Sequence, residues 1–173
     1  MTHLTAEEVI AALHLEPHPL EGGFFRETYR TPQKLPGQDR SLSTAIYYLL
    51  TPHTCSRMHR LPTDELFHFY LGDPVRMLHL LPDGSGHEVV LGTDLLAGER
   101  PQVLVSGGVW QGAALVEGGR LALLGTTMAP GFAYPDYAVG DRAALSGQYP
   151  AFADAIRRLT PEGSVSTQGP WAF

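Results

Sequence analysis

The feature that most limits the fold is the stretch from residue 24 to residue 128. Eight short strand-like runs follow one another there with no helical period between them: FFRETYR, STAIYYLL, ELFHFYL, VRMLHLL, HEVVL, PQVLV, GVWQGAALV and RLALLGTTM. The separators TPQKLPGQD, LPTD, GDP, PDGSG, GTDLLAGER, SGG, EGG and APGF carry the proline and glycine that hairpins and tight connections need. Strands joined this closely are expected to pair antiparallel, and the absence of interposed helices argues against a parallel α/β sheet. The chain is therefore expected to be all-β, a sandwich or a closed jelly-roll barrel.

The ends obey a different rule. LTAEEVIAALHL sets Thr5 and Glu8 at capping-box spacing ahead of Val9, Ile10 and Leu13. That pattern predicts an amphipathic helix over about residues 5–13, stopped by Pro17 and Pro19. After Pro130, DRAALSGQYPAFADAIRRL offers Asp141 as an N-cap and a second start at Pro150. One or two short helices are expected over about 141–159, with a frayed tail over 160–173. Residues 1–159 are expected to form one domain whose barrel takes about residues 20–139, a size at which a single core buries about two-thirds of the unfolded surface.

Charge and cysteine content exclude several function classes. Twelve Lys and Arg against 18 Asp and Glu give a net charge of −6, with no basic run and no aromatic-basic alternation, so nucleic acid is not an expected partner. Cys55 is the single cysteine, and the N-terminus shows neither the basic nor the apolar region of a secretory signal. No apolar run approaches the roughly 20 residues that cross a bilayer. A soluble, cytoplasmic protein is expected, and Cys55, with no base or cation beside it in sequence, is expected to be structural. No glycine loop followed by Lys-Ser/Thr marks a phosphate site.

The chemistry concentrates in SRMHRLPTDELFHFYLGDP, residues 56–74. On a regular strand Glu65, Phe67, Phe69 and Leu71 share one face, while Leu66, His68 and Tyr70 share the other. His59 lies on the preceding strand, where cross-strand pairing can bring it to Glu65. A carboxylate facing a dry barrel needs a cation, a donor or a metal. An imidazole beside it forms an acid-base pair that titrates near neutrality. A purely structural contact between the two is the competing reading. His3, His14, His18, His53 and His87 are assigned structural roles. Phe67 and Phe69 are candidates to line the cavity, Trp110 and Tyr134 to stack on a sugar or base, and Arg26 to meet an anionic group. Gly22 and Gly23 suit a backbone bend.

The run RMHRLPTDELFHFYLGDP resembles the first motif of the cupin superfamily. His59 falls at its first histidine, Leu61 at its second, Glu65 at its glutamate and Gly72 at its closing glycine. LVSGGVWQGAALVEGGRL resembles the second motif, with Gln111 at the histidine ligand. Together with EPHPLEGGFFRETYR and APGFAYPDYAVGDRAAL, these runs are similar to the cupin-5 family, over about residues 14–159, and to dTDP-4-dehydrorhamnose 3,5-epimerase-like cupins. The resemblance implies an antiparallel jelly-roll barrel, a homodimer, and ligand positions at His59, Glu65 and Gln111 that could hold Mn, Fe or Zn. It also implies a small, sugar-like or anionic ligand. The implied activity is isomerase or epimerase chemistry on a sugar or sugar nucleotide, with His59 as base, Glu65 orienting it, and Tyr134 or Tyr137 as the opposing acid. A non-catalytic binding or sensing cupin is the alternative. Metal-dependent oxygenase chemistry is disfavoured by the missing second histidine.

Overall fold

The computed structural model describes residues 4–162; His3 and all but the first residues of the expected tail lie outside the described residues. Helix α1 (Ala6–Leu13) is capped as its sequence dictates: Glu8 N–H donates to Thr5 Oγ1 at 3.2 Å and Thr5 N–H donates to Glu8 Oε2 at 2.8 Å. Eleven strands follow: β1 (Glu16–Pro17), β2 (Phe24–Arg30), β3 (Thr44–Leu50), β4 (Ser56–Arg60), β5 (Glu65–Gly72), β6 (Val75–Leu80), β7 (Gly86–Leu91), β8 (Gln102–Val105), β9 (Trp110–Leu115), β10 (Ala122–Met128) and β11 (Ala138–Val139). They form two antiparallel sheets, in the order β1-β2-β3-β10-β5-β8 and β11-β4-β9-β6-β7, the jelly-roll architecture expected from the turn spacing. Helices α2 (Arg142–Gln148) and α3 (Ala153–Arg158) close the described chain. Asp141 caps the first of them, and a 3-10 turn that begins at Pro150 leads into the second. No helix among the described residues is long and apolar enough to cross a membrane.

Alternation along each strand sorts the side chains into three layers. Tyr48, Leu50, Phe67, Val75, Met77, Val103, Val105, Ala113 and Leu124 meet between the sheets as the main core. α1 covers the outer face of the six-stranded sheet through Val9 and Leu15 on Leu49, Leu121 and Leu123. α2 and α3 cover the outer face of the other sheet through Leu145, Tyr149 and Ile156 on Met58, Leu78 and Leu80. At roughly 1.5–3 kcal/mol for each large apolar side chain fully buried, these three clusters fix which face of every strand looks inward.

Three register shifts interrupt the simple alternation: one lies between Glu27 and Tyr29 in β2, and the two in β5 and β4 decide which side chains reach the site. The β5-β10 register shifts so that Leu123 faces Leu71 while Leu124 faces Phe69, leaving Tyr70 as an extra residue. Leu71 is thereby turned to the helix-covered side, where it packs in the α1 cluster, and does not share the Glu65 face as expected. Glu65, Phe67 and Phe69 precede the bulge and keep their common inward face. His68 also precedes it and points outward, with Nε2 3.1 Å from Thr127 Oγ1 and Nδ1 3.3 Å from Gln102 Nε2. In β4 the pairing with β9 shifts between Ser56 and His59, which lets both Ser56 and His59 reach the interior.

Candidate functional site

The site is assembled by β4, β5 and β9 from one side, and by the loop before β2 and the segment before β11 from the other. Gly22 and Gly23 make that loop possible. They hold φ of +95° and +69°, and a Cβ on either would stand 2.6 Å from Cys55 O or 2.7 Å from Leu49 O. Only glycine allows this close approach, which carries the side chains of His18 and Glu21 into the barrel.

Glu65 is 6% exposed and accepts a 2.8 Å hydrogen bond from Gln111 Nε2. His59 is 1% exposed; its Nδ1 is 2.7 Å from Arg57 O, so Nδ1 carries the proton and donates, and Nε2 faces Glu65 Oε2 at 4.0 Å. Burial pushes the His59 pKa down. The charge of Glu21, the Glu65 carboxylate 4.0 Å away, and the Arg57 carbonyl outweigh it and raise the value to about 9. His59 is therefore an imidazolium at neutral pH. The Tyr137 ring stacks on it, with centroids 4.9 Å apart and planes 13° from parallel. Burial, followed by the charges of Glu21 and Glu65, holds the Tyr137 phenol well above its ordinary pKa, so it keeps its proton.

Glu21 accepts a short hydrogen bond from Ser56 Oγ. His18 Nδ1 accepts from Glu21 N–H at 2.9 Å, which places the proton of the neutral ring on Nε2, 4.0 Å from Glu21 Oε2. Burial is the main reason that the His18 pKa lies below its usual value. Two carboxylates, one neutral and one charged imidazole, and a protonated phenol thus crowd one end of the barrel.

His18, Glu21, Glu65 and Tyr137 line an inner chamber of about 60 Å³. It opens, past Phe25, Glu27, Arg30, Phe132 and Tyr134, onto an outer groove of about 760 Å³ that also includes Arg26. Arg30 forms a double hydrogen bond to Glu27, at 2.9 and 2.8 Å, and Arg26 donates to Leu13 O at 3.0 Å. Arg40, bonded to Gly131 O and to Asp136, braces the segment that carries Tyr134 and Tyr137.

Several sequence expectations change on this geometry. His59, Glu65 and Gln111 do meet, but His59 is charged and sits behind the chamber wall, which does not suit a base at neutral pH. Tyr137 is at the floor, whereas Tyr134 stands at the rim with its ring edge-on to Phe132. Phe67 and Phe69 belong to the core below the chamber and do not line it. Trp110 points to the opposite face of β9, packs against the α2-α3 cluster and lies under the Arg60 guanidinium at 4.6 Å, so it is not placed to stack on a ligand in the barrel. Arg26 lies in the outer groove. Cys55 packs beside the α2-α3 cluster, and burial pushes its thiol pKa up. His18 and Glu21 were missed because a lone histidine between prolines carries no pattern. The adjacent Gly22-Gly23 pair was the available signal, since two consecutive glycines mark a loop pressed against backbone.

The donor set does not fit a divalent ion. Gln111 turns its amide nitrogen, not its oxygen, toward Glu65, and position 61, where the resemblance calls for a second histidine, is a buried leucine. Among the described residues no three His, Cys, Asp or Glu side chains converge as a metal would require.

Comparison with known proteins agrees with the fold. A family model described as Cupin superfamily (DUF985) matches residues 7–140. Protein SO0799 from Shewanella oneidensis superposes with a TM-score of 0.86 at 35% identity, over 93% of this chain and 100% of that one. A hypothetical protein from Leishmania major gives 0.85 at 32% identity, over 92% and 100%. The uncharacterized protein YML079W of Saccharomyces cerevisiae is 28% identical over 133 residues, which are 68% of this chain and 66% of that protein.

Proposed function

Because the chain belongs to the Cupin_5 (DUF985) family of the cupin superfamily, we propose that its barrel binds a small carbonyl-bearing, sugar-like molecule and moves a proton at the carbon beside the carbonyl, as an isomerase or epimerase does. The observation that carries this reading is the buried His59 imidazolium, behind the chamber wall formed by Tyr137 and Glu65, stacked on the one and facing the other. A fixed positive charge in a dry site is what an enolate needs as it forms. Glu65, held by Gln111, accepts the proton as the C–H bond breaks. The electron pair moves onto the carbonyl oxygen, where the Tyr137 hydroxyl donates to the developing negative charge. Return of that proton from Glu65 to the neighbouring carbon isomerises the sugar; delivery of the Tyr137 proton to the other face of the same carbon inverts it, after which Glu65 gives its proton to solvent and the phenol takes one back. His59 acts in this scheme as a charge and Glu65 as the base, the reverse of the roles expected from sequence.

The two chambers suit an elongated ligand. The inner one admits the reacting carbonyl end, and the groove with Arg26 and Arg30 suits an anionic remainder such as the phosphates of a sugar nucleotide. The likeness to dTDP-sugar epimerases expected from sequence is retained as part of this proposal. So is the homodimer: Tyr29, Tyr70 and Leu104, each about half exposed, sit on the six-stranded sheet, whose outer face α1 covers in part, and a second copy would cover them. Sedimentation equilibrium that finds only the 18.8 kDa monomer would remove the dimer.

Ligand class is tested by adding free sugars, sugar phosphates and sugar nucleotides to the isotopically labelled protein and following its amide spectrum. Carbonyl sugars with a phosphate are expected to shift Glu21, Glu65 and Tyr137 together with Arg30. A panel that moves none of the chamber residues overturns the reading; binding without any proton exchange in the ligand turns it into the non-catalytic alternative.

A further inference from the structure

Across the five-stranded sheet, four polar residues stand in one register. His59 on β4 is paired with Gln111 on β9, Gln111 with His79 on β6, and His79 with His87 on β7. His59, Gln111 and His79 are buried on the face of Ala113 and Met77, the inward face, while His87 stands exposed on the edge strand β7. His79 is 4% exposed and Gln111 is 1% exposed. Each has an orphaned side-chain atom: His79 Nε2 and Gln111 Oε1 are buried with no hydrogen-bond partner. Two buried polar atoms on directly paired residues, both unsatisfied, are the situation in which proteins hold an internal water.

We infer that a buried water bridges Gln111 Oε1 and His79 Nε2, and that through it His79 is a positioning residue for Glu65. The orientation of the Gln111 amide is the link. With its nitrogen toward Glu65 it donates to the carboxylate; turned over, it would set oxygen against oxygen at the same 2.8 Å. The carboxylate on one side and the partner of Oε1 on the other select the same orientation, and both must be in place to hold the amide still. A water hydrogen on Oε1 holds the donating orientation, and the imidazole holds the water. Burial, and then the neighbouring His87, push the His79 pKa down to about 4, so the ring is neutral at working pH and presents one donor and one acceptor nitrogen. A water can use Nε2 in either tautomer. The His87 ring, on the exposed edge strand, packs edge-on against His79 at 5.1 Å.

The positioning role rests on Glu65 being the proton acceptor, but its test needs no turnover. In the full-length labelled protein, one Gln111 side-chain amide proton is expected to resonate downfield, exchange slowly and show a cross-peak to a long-lived water. His79→Leu removes the water's polar partner, and Gln111 amide exchange should then accelerate about tenfold or more. His79→Gln, which keeps a polar group at that depth, should restore slow exchange. Unchanged Gln111 signals in a folded His79→Leu protein overturn the inference. Should that variant fail to fold, the wild-type spectrum decides, because a Gln111 amide with no long-lived water beside it overturns the inference as well. Loss of proton-transfer activity with these signals intact would instead count against Glu65 as the base.

Discussion

Replacing Glu65 by glutamine removes the charge and keeps size and the acceptor oxygen, so the Gln111 hydrogen bond survives and the perturbation falls on His59. The charge of Glu21 supports the imidazolium most, the Glu65 carboxylate acts on it through its charge with Oε2 4.0 Å from Nε2, and the Arg57 carbonyl also holds the proton. Without Glu65 the His59 midpoint should fall from about 9 by about one to two units, equivalent to about 1.4–2.7 kcal/mol of lost interaction. The protein should fold, with a loss of stability in urea of similar size at pH 7. That loss stays below the 3–5 kcal/mol typical of stranding a buried charge, because Glu21 remains and the ring can shed its proton. The assay is the imidazole titration by NMR beside urea unfolding of the same samples. A His59 midpoint that does not move in Glu65→Gln would refute the ion pair as the source of the charge. A drop in stability with the midpoint fixed would reduce Glu65 to a packing residue.

The folded state holds the His59 proton up to about pH 9, whereas the unfolded chain releases it near 6.5. This contribution to stability is therefore fully present below pH 6.5 and is lost as the pH rises through 9, about 3 kcal/mol in all, which urea unfolding from pH 6 to 10 checks. Tyr137→Phe keeps the stacking on His59 and removes the hydroxyl, so ligand affinity should change little while proton exchange into the ligand slows about a hundredfold or more, followed by NMR of the ligand. Trp110→Ala should cost about 1–3 kcal/mol of stability, as for a half-buried side chain, and leave ligand affinity unchanged, because the indole packs against the α2-α3 cluster; calorimetry of the folded variant separates the two effects.

Much of the fold was legible because local rules and tertiary packing agree. The strand-turn-strand pattern, the Thr5-Glu8 cap and the Asp141 and Pro150 helix starts each act within a few residues. The face of Glu65 and its meeting with His59 and Gln111 followed from alternation and from the resemblance to the cupin motifs. What was not legible depends on non-local geometry. The bulge at Tyr70, which turns Leu71 outward, is set by the fit of Tyr70 over Gly125, where a Cβ would stand 2.3 Å from the Tyr70 hydroxyl oxygen. Trp110 was assigned to the ligand by residue type, although its strand parity relative to Gln111 already placed it on the other face. The charge on His59 depends on Glu21, 38 positions away in sequence and brought in by a loop whose glycines mark a bend but not what the bend delivers.

The central claim, that the Glu65 carboxylate in the charged floor of this barrel removes a proton from carbon, is tested most directly in heavy water. Carbonyl sugars and their phosphates or nucleotides are incubated with the protein and examined for deuterium at the carbon beside the carbonyl. The account predicts incorporation by the wild-type protein into at least one ligand that shifts the chamber residues, and none above background with Glu65→Gln. Incorporation by Glu65→Gln at the wild-type rate, or a ligand that fills the chamber of the wild-type protein and takes up no deuterium, would contradict it.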